Sequence, residues 1–143
     1  MKRQLVSVCA AALGAALLLG GCSNAARISA LDRDATAEDA LPSGFSAEND
    51  AASETTRLLA THDGVKYFVS ATDAGGSCLF VVPEANPGLG SAGCKESPTT
   101  GGEIITVSGR VSPAKLVTDG FDSKKLESEG WTKIHENLLV KGK

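Results

Sequence analysis

Hydrophobic and polar positions divide this chain into three unlike stretches. From Leu5 to Leu19 the residues are rich in Ala, Leu and Val, and no charged side chain stands between Arg3 and Arg27. Residues 23–54 hold only four large apolar side chains, Ile28, Leu31, Leu41 and Phe45. So little apolar surface does not offset the entropy of ordering such a segment. Beyond residue 55 short apolar runs return. RLLAT (57–61), VKYFVSA (65–71) and CLFVV (78–82) are rich in β-branched, aromatic and aliphatic residues, and the turn residues His62-Asp63-Gly64 and Thr72 to Gly76 separate them. This spacing predicts a three-stranded antiparallel meander. In the second run Val65, Tyr67, Val69 and Ala71 share one face, with Lys66 and Ser70 opposite. Phe68 interrupts that alternation and predicts that part of the second face is covered too.

Residues 84–102 have no apolar period and read as a long loop. EIITVSG (103–109) predicts another strand, and AKLVTDG (114–120) a strand and a turn. Asp122 to Glu129 predicts a short helix capped by Asp122 or Ser123, with Leu126 inward and Gly130 as the stop. WTKIHENLLV (131–140) predicts one or two closing strands. The expected fold is mainly β: a small antiparallel sheet, or a β-sandwich or half-barrel, with one short helix.

Charge sharpens the division. Losing the first 21 residues, which carry Lys2 and Arg3 and no acid, takes the net charge from −3 to −5. All of that charge falls in residues 23–54, which hold seven acids and two arginines, whereas residues 55–143 hold ten acids and ten bases. A neutral domain lacks the basic patch that nucleic-acid binding needs, so no nucleic-acid partner is expected. The acidic stretch predicts an extended tether, spanning on the order of 30 Å as a flexible coil. Ile28, Leu31 and Ala35 have helical spacing, which allows a transient helix over 26–40.

The basic start, the apolar run and the small residues after it are the parts of a secretory signal. The run is shorter than the roughly 20 residues of a membrane-spanning helix. Leu19-Gly20-Gly21-Cys22 resembles the bacterial lipobox. That resemblance implies that the Cys22 thiol receives a diacylglyceryl group and that cleavage makes Cys22 the first residue of the mature protein. It implies a lipoprotein of the cell membrane, exposed on the extracytoplasmic face, because two or three acyl chains anchor stably where one does not. The chain then divides into a cleaved signal peptide (1–21), a lipidated cysteine with a disordered acidic, Ala-rich tether (22–54) and a small β domain (55–143).

Cys9 leaves with the signal and Cys22 carries lipid, so Cys78 and Cys94 remain as an even pair in an exported domain. There disulfides persist, and one bridge is expected. No CxxC and no nearby ligand histidine suggests a metal, and no cofactor is expected. GLGSAG (88–93) matches GxGxxG in letters, but no βαβ pattern surrounds it, and Cys94 stands where a P-loop needs lysine. There is no GxSxG. His62 and His135 are the only histidines, and no nucleophile is nominated for either, so no catalytic residue is assigned. Tyr67 and Trp131 are candidates for a ligand or partner surface, although both also suit packing. Trp131 follows Gly130, a place for an aromatic that covers a sheet edge or lines a groove.

SCLFVV with AGC (77–82 and 92–94), VTDGFD (117–122) and GWTKIHENLLV (130–140) together resemble small exported proteins of actinobacteria. Thr118 stands where that group carries proline, and the connection over 123–130 is longer. The resemblance implies a fold and a location, and no activity. The expected function is a non-catalytic envelope lipoprotein whose β module contacts an envelope protein, a wall polymer or a small ligand. The alternative is a small envelope hydrolase or redox accessory using His62 or His135.

Overall fold

The computed structural model of the chain describes residues 27–47 and 54–142. The signal segment and Cys22 lie outside them. Among the described residues, eight strands form two four-stranded antiparallel sheets. In the first, β1 (Arg57–His62), β2 (Val65–Ala71), β3 (Ser77–Pro83) and β4 (Ser91–Lys95) lie in chain order. The second comprises β5 (Glu103–Val107), β6 (Ala114–Val117), β7 (Trp131–His135) and β8 (Leu138–Lys141), with β8 inserted between β6 and β7. The fold is the mainly β one expected, with one short helix and one disulfide.

The two sheets enclose a single core. Val65, Tyr67 and Val69 of β2 and Leu79 and Val81 of β3 meet Ala114, Leu116, Leu138 and Val140 of the second sheet. The predicted turn after β1 has Asp63 at φ 49° and Gly64 at φ 71°. Positive φ at both central residues is the type I′ combination, whose twist matches the strands it joins. Register shifts fall on β1, β5 and β7, all edge strands. Bulges there spoil the flat edge that would pair with another chain.

Phe68 explains why the alternation in β2 fails. With Cys78, Phe80 and Val82 it forms a second apolar cluster on the outer face of the first sheet, covered by Leu41, Phe45 and Ala47. The Phe45 ring meets Phe80 edge-on at 6.0 Å. It lies where Gly90 has no side chain, since a Cβ there would stand 2.6 Å from the ring.

Residues 27–47 are therefore not the disordered tether that their composition suggested. Ile28 is buried in the core, and two short 3-10 turns, Ser29–Asp32 and Ala37–Asp39, stand where the spacing allowed a transient helix over 26–40. Asp39, only 4 % exposed, accepts hydrogen bonds from Arg33 and from the backbone amides of Thr36 and Leu58. Arg57 donates to the Arg33 carbonyl at 2.9 Å. The segment is a strap along the edge strand β1. Four large apolar residues are too few to build a core, yet enough to cap one that other elements have built.

The expected loop over 84–102 contains a strand. SAGCK has no β-branched or large aliphatic residue and so carries no strand signal. It is a strand because it pairs with β3, where Cys78 lies directly opposite Cys94 and the two form a disulfide. On the outer face of the second sheet, Val117 and Leu139 are covered by Phe121, by Trp131 and by Leu126 of α1 (Lys124–Ser128).

Candidate functional site

A cavity of about 800 Å³ opens at one end of the sandwich. The β1–β2 turn and the end of β3 line it from one sheet, and the β5–β6 loop with the end of β8 from the other. Its inner wall is made of Val65, Tyr67 and Val140, all buried members of the core. His62, Asp63 and Arg110 stand towards solvent at the mouth. The Lys141 amide donates to the Pro113 carbonyl at 2.8 Å and fixes the β5–β6 loop against β8. The sheets thus part at this end without being capped by either loop.

Tyr67 is the most constrained polar residue here. Its side chain is 2 % exposed, and its hydroxyl makes no hydrogen bond within the described residues. Burial, and then the charge of Asp63, raises its pKa above the ordinary tyrosine value. Tyr67 lines the cavity, and its hydroxyl is not among the fully enclosed unpaired atoms of the structure, so it is open on the cavity side.

His62 Nε2 lies 3.4 Å from Asp63 Oδ2, but the Asp63 carboxylate is 88 % exposed. Ser112 also lines the cavity, and its hydroxyl makes no hydrogen bond to His62. A nucleophile activated by histidine needs that bond and a third group that orients the ring. His135 is at the other end of the sandwich. Its Nδ1 accepts the Asn137 amide at 3.1 Å, and burial lowers its pKa from the usual histidine value. The two histidines therefore do not form one cleft.

Trp131 lies on the outer face of the second sheet, and Tyr67 on the inner face of the first, so the two candidate surface residues do not come together. The Trp131 ring packs with Phe121 on the outer cluster and has Lys115 and Lys141 at 5.1 and 5.4 Å from its centre. Both lysines are engaged elsewhere, Lys115 with Glu103 and Lys141 with the Glu129 carbonyl. Cys78 is buried beneath the strap, and Cys94 is partly buried beside it. Among the described residues no three His, Cys, Asp or Glu side chains gather closely enough to hold a metal ion.

Sequence reasoning missed Arg110, Val111 and Pro113. They sit in GRVSP, a polar connection between two strands, and only the fold brings that loop opposite the His62 turn. No family model, no curated protein and no solved structure matches the chain, so its function rests on these residues alone.

Proposed function

We propose that this chain is a cell-envelope lipoprotein, anchored through Cys22 at the extracytoplasmic face of the cell membrane, whose β-sandwich binds a ligand or partner without transforming it. The address rests on Lys2-Arg3, the apolar run and Leu19-Gly20-Gly21-Cys22. The binding role rests on one observation: a cavity enters the core beside Tyr67, and the histidine at its mouth has neither a bonded nucleophile nor a buried acid behind it.

The strap shortens the link to the membrane. With Cys22 as first residue, five Cα steps lead to Arg27, a reach of at most about 18 Å. The Arg27 carbonyl accepts the Asp119 amide at 2.9 Å, just beyond the end of β6. The cavity lies at the opposite end of the same strand, beside Pro113. The anchor thus holds one end of the sandwich near the bilayer, and the mouth faces the envelope, where a small ligand, a wall polymer or another envelope protein would meet it.

Membrane fractionation of the Cys22→Ala variant tests the address. The expected result is unprocessed precursor or protein released from the membrane. Normal processing and retention would overturn it.

A further inference from the structure

We propose that the end cavity binds a small organic carboxylate with an apolar body, held by Arg110 at the mouth and by the Tyr67 hydroxyl inside. This rests on the reading of the domain as a binding module and gives that module its ligand class. Cavity size is the first support. About 800 Å³ falls in the range of small-molecule sites, roughly 300–1,000 Å³. Its walls suit an aliphatic or aromatic body, because Val65, Tyr67 and Val140 come from the core and Val111 and Pro113 line the other sheet's side.

Polar satisfaction is the second support. A buried tyrosine hydroxyl usually has a hydrogen-bond partner. The Tyr67 side chain is 98 % buried, yet its hydroxyl is not among the fully enclosed unpaired atoms, which are Ser70 Oγ, Thr99 Oγ1 and Asn137 Oδ1. No described residue bonds it, so water or a ligand in the cavity takes that bond.

Charge selects the ligand's head group. His62 and Asp63 stand against each other at the mouth. The Lys141 ammonium donates to the Glu129 carbonyl at 2.7 Å and lies over the Trp131 ring, so it already has partners. Among the four described arginines, Arg27 and Arg33 pair with aspartates and Arg57 donates to backbone carbonyls, whereas Arg110 makes no hydrogen bond or ion pair. Its guanidinium is the one cationic head group of the cavity lining with no partner among the described residues. A guanidinium presents a planar fork of donors that matches a carboxylate. With His62 neutral, Arg110, Lys141 and Asp63 leave the lining one net positive charge, which favours a singly charged carboxylate over a doubly charged phosphate.

Tyr67 is the only tyrosine of the chain, so its isotope-labelled ring reports on this cavity alone. The full chain in lipid nanodiscs is titrated with 3-phenylpropionate and with its neutral counterpart 3-phenylpropionamide, and the Tyr67 ring signals are followed by NMR. The expected result is a saturable shift with the carboxylate, weakened at least about tenfold in Arg110→Gln, because a hydrogen bond to a charged group carries roughly 1.5–3 kcal/mol. Amide binding is expected to be equal in both proteins. Unmoved Tyr67 signals, or a carboxylate affinity that Arg110→Gln leaves unchanged, would overturn the proposal while leaving the anchored-module reading standing. A saturable shift followed by chemical conversion of the compound would support the carboxylate site and overturn the reading of a module that only binds.

Discussion

Single polar atoms separate the structural histidine from the one at the cavity. His135 is pushed below its usual pKa first by burial, with Glu136 and Asp119 opposing that shift in part. Its Nδ1 accepts the Asn137 amide, which requires a neutral ring with the proton on Nε2. Asn137 is itself fully buried and donates to the Val117 carbonyl at 3.1 Å and to Asp119 at 2.7 Å. Asp119 in turn accepts the Ser29 amide, so the imidazole sits at the end of a chain of bonds that reaches the strap. The sign of the pH effect follows. The folded state binds this proton less readily than the unfolded one, whose histidine titrates near about 6.5. The His135 contribution is therefore complete above that pH and is lost as pH falls below it towards the depressed folded value. NMR titration should place the His135 midpoint below about 6.5, and His135→Gln should flatten the fall in urea midpoint over that range. A midpoint at or above the unperturbed value would contradict this account.

The strap over 27–47 is the element whose role changed most between sequence and structure. It carries no long periodic run, and its stability comes from surfaces it did not build. Asp39 joins it to the edge of β1 through the Leu58 amide, and Arg33 holds the Asp39 carboxyl well below the usual carboxylate range. That carboxylate stays ionised until strongly acid pH, so this lock persists across the neutral range. Phe45 closes the outer cluster over Phe80. Phe45→Ala, at a half-buried site, should cost about 2 kcal/mol. Asp39→Ala leaves a buried amide and a guanidinium without their acceptor and should cost a similar amount, about 2 kcal/mol. Urea denaturation measures both, and amide exchange at Leu58 should accelerate in Asp39→Ala. Unchanged midpoints in both variants would show that the strap adds nothing to the fold.

At the scale of the whole molecule, one core shared by two sheets should give one cooperative unfolding transition. The Cys78–Cys94 bridge closes a short hairpin within the first sheet and does not cross the core. For a loop of about 15 residues the chain-entropy account gives roughly 3 kcal/mol. The Cys78→Ala/Cys94→Ala double variant should lose about that much in urea while still unfolding in a single step. Two separated transitions would mean that the shared core does not couple the two sheets. The three apolar clusters argue otherwise, because only the inner one joins the sheets and the bridge belongs to an outer one.

What the sequence determined by itself is what neighbouring residues encode. The β1–β2–β3 meander, the Asp63-Gly64 turn, the short helix around Leu126 and the Cys78–Cys94 pair are all legible in runs of a few residues or in a count of cysteines. Even the covered outer face of β2 was visible in Phe68, although not what covers it. Only the tertiary structure made SAGCK a strand and an acidic segment a strap, and put Arg110 and Tyr67 in the lining of one cavity. Each depends on a surface assembled from distant parts of the chain: the edge of β3, the outer face of the first sheet, and the gap between the β1–β2 turn and the β5–β6 loop. Periodicity records which face of an element seeks burial. The partner that meets that face, and the space left where two sheets part, arise only when the sheets pack.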